Sequence, residues 1–274
     1  MSHPYLPAVI ALVQRAGQAI LPHWRSGVAV TEKADASPVT AADMAAHRVL
    51  SEGLVQLFPE VPVLSEEAAN IPLNERGQWQ RWWLVDPLDG TKEFIADSEE
   101  FTVNIALVEA GLVRFGVVGV PARGLCYYGG AGLGAWRREV DGRRVALQVR
   151  DRAPDALQVV ASRRHSSPEQ ERLLAGLEQA LGPVERVSVG SSLKFCLLAE
   201  AAADFYPRLA PTSQWDTAAA QGVLEGAGGV VLDLHGEPLR YPMQESLLNP
   251  FFLALPEKAV WWPALQPLLE SAAN

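Results

Sequence analysis

The chain has 274 residues, 49% of them hydrophobic and 20% charged, with a formal net charge of −9. These values fit an ordinary soluble globular protein and exclude a collagen, a disordered chain and a repeat array. A protein that works by coating nucleic acid would be basic, because neutralising phosphates supplies most of that affinity, so this role is disfavoured.

The length suits one compact body with two lobes. Acidity alone has two readings, general solubility or carboxylates gathered to hold cations, and only their positions can choose between them. The two cysteines, Cys126 and Cys196, form neither a CxxC pair nor a metal-ligand spacing. A disulfide framework is therefore not expected, and a reducing cytoplasm fits.

Met1 to Ile20 lacks a basic leader and an A-x-A cleavage site, and its apolar residues are mostly helix-spaced. A surface helix is expected there, not a signal or a membrane anchor. Val28 to Lys33 reads as a strand and Asp35 to Val39 as a loop. Thr40 reads as a helix N-cap, with Asp43 completing a capping-box arrangement. That helix runs to about Phe58, where Pro59 stops it. Val61 to Ser65 is a short buried strand leading to Glu66 and Glu67.

Trp82 to Val85 is an apolar strand entering Asp86-Pro87-Leu88-Asp89-Gly90-Thr91, read as a turn. Phe101 to Val108 alternates in the manner of a strand, and Leu112 to Val120 is its expected antiparallel partner. Cys126 to Tyr128 and Ala135 to Arg137 suggest strands around a glycine-rich bend. From Leu157 the pattern alternates strand and helix. The expected strands are Leu157 to Ala161 and Val187 to Val189. The expected helices are one opened by Pro168, one from Ser192 to Ala203 and one from Asp216 to Ala227. A closing hairpin is expected from Gly228 to Leu234, returning at Leu239. The lobe boundary is placed between residues 151 and 155. This gives an α+β N-terminal, metal-binding lobe over 1–152 and an α/β C-terminal, substrate-binding lobe over 153–274.

The chemistry is expected around Asp86 and Asp89. Two carboxylates this close repel unless a proton or a cation intervenes, and Pro87 restricts their relative direction. Oxygen-only ligands suit Mg²⁺, with Mn²⁺ as a second option. Taken alone, Asp-Pro-x-Asp-Gly is also a common turn sequence. Gly90 permits close backbone approach, and Thr91 adds a hydroxyl beside the carboxylates. The glycine run from Gly129 to Gly134 fits neither a Rossmann nor a Walker loop and is read as structural. The eight tryptophans mostly adjoin apolar runs and are read as packing residues.

Three blocks in order carry a resemblance. They are Ser65-Glu66-Glu67, then DPLDGT after an apolar strand, then Trp215-Asp216-Thr217-Ala218-Ala219 far downstream. The chain resembles the inositol monophosphatase superfamily over most of its length. Within it, Lys92-Glu93-Phe94, the block from Gly190 to Arg208, and Glu245-Ser246-Leu247-Leu248-Asn249-Pro250 are similar to the 3′(2′),5′-bisphosphate nucleotidase branch. The resemblance implies a two-lobed alternating αβαβα sandwich and a lithium-sensitive, Mg²⁺-dependent phosphatase serving sulfur assimilation. It implies two or three ions held by Glu66, Asp86, the Leu88 carbonyl, Asp89 and Asp216. It gives Asp43 and Thr91 as the water-activating pair, acting beside Glu66.

Substrate contacts are expected from Glu66, Leu88, Asp89, Gly90, Thr91 and Asp216 at the phosphate. At the nucleotide end they are expected from Ser162, His165, Gly190, Ser191, Lys194 and Arg208. Gly190-Ser191-Ser192 precedes a helix, whose N–H groups favour an anion. The expected partner is a small nucleotide, with no nucleic acid and no integral membrane segment, and the expected state is a monomer or homodimer. The alternatives are another sugar-phosphate phosphatase of the superfamily, or a non-catalytic nucleotide or metal sensor.

Overall fold

A computed structural model describes residues 3–27, 30–32, 38–151, 155–161 and 168–272. Helix α1 (Leu6–Ile20) buries Val9, Val13, Ala16 and Ile20 along one face. Strands β1 (Val30–Glu32) and β2 (Pro38–Thr40) pair antiparallel. Part of the stretch expected to be a loop is thus paired, and residues 28, 29 and 33–37 lie outside the described residues. Helix α2 (Ala41–Leu57) begins at the expected capping box, with the Asp43 carboxylate accepting from the Thr40 amide at 2.7 Å.

Seven strands then form the first sheet. They are β3 (Val63–Ser65), β4 (Arg81–Asp89), β5 (Thr102–Glu109), β6 (Leu112–Val120), β7 (Leu125–Gly130), β8 (Gly134–Arg138) and β9 (Arg144–Leu147), hydrogen-bonded in that order. All pairings are antiparallel except β3 with β4, which is parallel. Short helices α3 (Leu73–Arg76) and α4 (Thr91–Ile95) flank β4.

The remaining elements are β10 (Leu157–Ala161), α5 (Pro168–Leu181), β11 (Val184–Ser188), α6 (Leu193–Ala199), β12 (Tyr206–Arg208), α7 (Ala218–Gly226), β13 (Gly229–Asp233), β14 (Phe252–Pro256) and α8 (Trp262–Ala272). Helix α6 stops four residues earlier than expected, where Ala201 adopts a left-handed φ of 60°. The expected closing hairpin is present in short form: Leu232 bridges Pro238, the Asp233 amide donates to the Glu237 carbonyl at 2.8 Å and the Leu239 amide to the Val231 carbonyl at 2.9 Å, while β13 takes its full ladder from β14. Prolines 238 and 242 lack the N–H that a returning strand needs. A parallel bridge from Val159 to Phe205 links β10–β11 to the β12–β14–β13 sheet.

Three apolar clusters stack these elements into five layers. Helices α1 and α2 cover one face of the first sheet through Leu12, Leu50, Trp83 and Phe115. Helices α6 and α7 lie between the sheets, with Trp82, Val118, Phe195, Val223 and Phe252 in one core. Helices α5 and α8 cover the outer face of the second sheet through Leu173, Leu177 and Leu265. This is the expected αβαβα order. The boundary expected between the lobes falls at residues 152–154, outside the described residues.

Helix α7 meets the first sheet backbone to backbone. A Cβ on Gly116 would sit 1.8 Å from the Ala219 carbonyl oxygen, and one on Gly222 would sit 2.6 Å from the Gly116 nitrogen. Only glycine permits that approach.

Candidate active site

The site forms where β4 ends. Asp86 pairs with Asn104 and Asp89 with Thr102, so β4 uses three residues where β5 uses two. Residues three apart on a regular strand face opposite ways. The extra residue is a bulge, and it turns both carboxylates to one side. The DPLDGT segment is therefore a bulged strand as far as Asp89, which corrects the expected turn: the backbone keeps its ladder while redirecting two acids. Gly90 follows at φ 88°, the left-handed region, and α4 starts at Thr91.

The other acids come from separate elements. Glu66 and Glu67 open a short 3-10 turn after β3, and Asp216 closes another after Ser213. One oxygen of Asp216 accepts from the Ser213 amide at 2.8 Å. Asp43 divides its two oxygens. Oδ2 accepts from the Thr40 amide and hydroxyl, and Oδ1 lies 3.3 Å from the Thr91 hydroxyl. That hydroxyl also lies 3.3 Å from the Leu88 carbonyl oxygen.

The electrostatics follow from burial and crowding. Burial, then Glu66, Asp89 and Asp216, push the Asp86 carboxyl well above the usual carboxylate range. Burial, then Asp89, push Asp216 up to about 8. Burial raises Asp43 against the opposing hydrogen bonds from Thr40. Crowding of buried acids in this way is relieved by a proton or by a cation. Among the described residues, no three Asp, Glu, His or Cys side chains already close around one point as a metal centre. The donors that are near are all oxygens, which suits a hard divalent ion.

A cavity of about 140 Å³ adjoins these acids, and its lining includes Asp89, Gly90, Glu93, Lys194, Arg208 and Asp216. Lys194 is buried, and its Nζ donates to the Ser191 carbonyl at 3.0 Å. Burial lowers its pKa to about 8, against the opposing pull of Asp89. Arg208 donates through Nη2 to the Pro211 carbonyl at 3.0 Å. Ser191 lines the cavity at φ 51°, a conformation that is uncommon outside glycine.

The helix-start reading of Gly190-Ser191-Ser192 takes an unexpected form. The Gly190 amide donates to Glu100 Oε2 at 2.9 Å. The Ser192 amide donates to Asp89 Oδ2 at 2.5 Å, with the Ser192 hydroxyl 2.6 Å from the same oxygen. Both N–H groups thus hold the protein's own carboxylates. Ser192 and Asn104, which donates to the Ser192 hydroxyl at 2.9 Å, are site residues that sequence reasoning missed. Ser192 lay in a block already singled out; nothing local marked Asn104 or Glu100. Ser162 and His165 lie outside the described residues.

Comparison with known proteins defines the class. A sequence model of the "Inositol monophosphatase family" matches residues 1–262, and the chain belongs to that family. At 50% identity over 250 residues, covering 90% of this chain and 98% of the relative, it is similar to "3'(2'),5'-bisphosphate nucleotidase CysQ" of Escherichia coli K12. The protein of that name from Haemophilus influenzae is 35% identical, with 95% of this chain and 96% of the relative covered. The crystal structure of CysQ from Bacteroides thetaiotaomicron, described as a bacterial member of the inositol monophosphatase family, superposes with a TM-score of 0.80. It is 40% identical, with 93% of this chain and 98% of that chain covered.

Proposed function

We propose that the chain removes the 3′-phosphate of adenosine 3′,5′-bisphosphate, giving AMP and phosphate, with Mg²⁺ as the metal and Mn²⁺ as a substitute. It is an enzyme, a phosphatase of the 3′(2′),5′-bisphosphate nucleotidase type, on the strength of relatives of that name at 35–50% identity. The observation that carries the substrate reading is one cavity lined both by the acids Asp89 and Asp216 and by Lys194 and Arg208. A substrate with one phosphate to be cleaved and a second anionic group to be held fits that lining. 3′-Phosphoadenosine 5′-phosphosulfate fits by the same logic. An inositol monophosphate has no second anionic group to offer Lys194 and Arg208.

In this reading Glu66, Asp86, Asp89, Asp216 and the Leu88 carbonyl hold the cations. When bound, these ions supply an acidified water and neutralise charge on the phosphoryl oxygens. The Thr91 hydroxyl orients the attacking water, and Asp43 Oδ1 accepts from that hydroxyl. The Gly90 and Thr91 amides hold the scissile phosphate. Phosphoryl transfer requires positioning and charge neutralisation and little covalent work by the protein, so this set of parts suffices. Lys194, Ser191 and Arg208 hold the rest of the nucleotide. A cytoplasmic role in sulfur assimilation belongs to the same reading, and no helix among the described residues is long and apolar enough to cross a membrane.

The test is phosphate release from adenosine 3′,5′-bisphosphate and from inositol 1-phosphate, side by side, with Mg²⁺ and with a chelator. We expect a Mg²⁺-dependent preference for the nucleotide and loss of turnover in Asp89→Asn. A preference for the inositol ester refutes the nucleotide reading. Undiminished turnover in Asp89→Asn refutes the metal site.

A further inference from the structure

The block from Glu245 to Pro250 has no place in the chemistry above, yet it lies directly behind Asp216. Antiparallel contact joins Leu248 to Ser213, the Gln214 amide donates to the Leu247 carbonyl at 2.8 Å, and the Asn249 amide donates to the Thr212 carbonyl at 2.8 Å. The Asn249 side chain then grips the Asp216 turn from beneath. Its Nδ2 lies 2.7 Å from the Ser213 carbonyl, 3.0 Å from the Thr217 hydroxyl and 3.2 Å from the Thr212 hydroxyl. Ser213 is the residue whose amide holds the Asp216 carboxylate. Thr217 continues the network through the Tyr241 hydroxyl, 3.0 Å away, to Gln221 at 2.7 Å.

The other end of this strap is fixed by the N-terminal half of the chain. Arg76, only 3% exposed, donates from Nη1 to the Gln244 carbonyl at 2.6 Å and from Nη2 to the Glu245 carbonyl at 3.1 Å. Its Nε donates to the Ile71 carbonyl at 3.0 Å, which directs the guanidinium. Apart from a contact of Nη1 with the Met243 sulfur at 3.7 Å, this buried guanidinium is committed to holding backbone carbonyls.

We infer that residues 244–249 form a positioning strap, pinned by Arg76 and ending in Asn249, that sets where Asp216 stands relative to the acids of β4. Asn249 and Arg76 are positioning residues: neither lines the cavity, and both act through the Thr212–Thr217 turn. The inference rests on the reading of Asp216 as a metal ligand. Partners that orient a metal ligand typically change metal affinity by about 10–100-fold when removed.

The experiment measures Mn²⁺ binding directly, by the electron paramagnetic resonance signal of the free ion, on the full chain. It compares wild type, Asp216→Asn, Asn249→Ala, Arg76→Gln and the Asn249→Ala/Arg76→Gln double variant. Asn249→Ala is expected to weaken Mn²⁺ binding on the order of tenfold and to raise the Mg²⁺ needed for half-maximal rate by the same factor. Arg76→Gln shifts both in the same direction, and the double variant falls short of the sum because the two ends act on one turn. A folded variant of either residue with wild-type Mn²⁺ affinity overturns the inference, whatever its melting temperature; if Asn249→Ala does not fold, Arg76→Gln decides alone. Wild type that takes up no Mn²⁺, or Asp216→Asn that binds as well as wild type, refutes the metal reading and the inference with it.

Discussion

Asp43 has two plausible roles on sequence, helix cap or catalytic partner, and its contacts show that these do not compete. One oxygen caps α2 and the other faces Thr91, so the residue that starts the helix also fixes the Thr91 hydroxyl. The pattern was legible because a capping box lies within four consecutive residues. Ser192 was not, because its bond to Asp89 spans 103 positions. At the same scale, Lys194 carries a prediction about pH. Burial holds its pKa near 8 in the free protein, so its positive charge is lost as pH rises through that value. If Lys194 holds the nucleotide's second anionic group, as proposed, kcat/KM for adenosine 3′,5′-bisphosphate should decline above about pH 8. In Lys194→Gln that alkaline limb should be missing, and kcat/KM near neutral pH should be lower by about 10- to 150-fold, as expected for loss of a charged hydrogen bond worth about 1.5–3 kcal/mol. A pH profile of the two proteins checks both expectations.

Between elements, the junction of β4 and α4 shows how a local rule was overridden. Asp-Pro-x-Asp-Gly is turn chemistry in isolation. Pairing with β5 keeps it extended as far as Asp89, and only Gly90 breaks the strand. Gly90 also lacks room for a side chain, since a Cβ would lie 3.0 Å from the Glu100 carbonyl oxygen and 3.2 Å from Ser191 Cβ. Gly142, at φ 83°, has a similar backbone with open space around it. Alanine at either position should cost about 1–2 kcal/mol for the left-handed conformation. Only Gly90→Ala should also reduce kcat, because it alone moves the Thr91 and Ser191 segments. Urea unfolding and steady-state kinetics on both variants separate the two effects. The partner of β13 was illegible for a related reason: periodicity marks a strand but does not say which distant strand completes its ladder.

For the whole molecule, the five layers followed from the alternation of strand and helix signals together with the family resemblance, whereas the joining of four distant acids is a product of tertiary packing. That gathering has a thermodynamic signature. The Asp216 pKa near 8 lies above the ordinary value of 3.8, so from about pH 4 to pH 8 the folded, metal-free protein keeps a proton that the unfolded chain has released. Its stabilising contribution is complete at the acid end and lost as pH rises through 8. Asp86, raised for the same reason, adds in the same direction. In the proposed reading Mg²⁺ would replace those protons, and a ligand of the folded state stabilises it. The rise in melting temperature on exchanging a chelator for Mg²⁺ should therefore be larger at pH 8 than at pH 6. An equal rise at both values counts against cation binding at these acids.

The bare contact between α7 and β6 acts as a spacer gauge. Between most layers of a protein the gap is filled by side chains, and it drifts when a leucine becomes a valine. Here peptide rests on peptide at Gly116, Ala219 and Gly222, and Thr217, next to Asp216, stands at the head of the same helix. The height of α7 above the first sheet is set by the thickness of the main chain, a dimension that ordinary sequence drift does not alter, and the proposed strap is left with the finer placement of the Asp216 turn. The surrounding core can exchange one hydrophobe for another across long divergence while the reach across the acid cluster keeps its calibration.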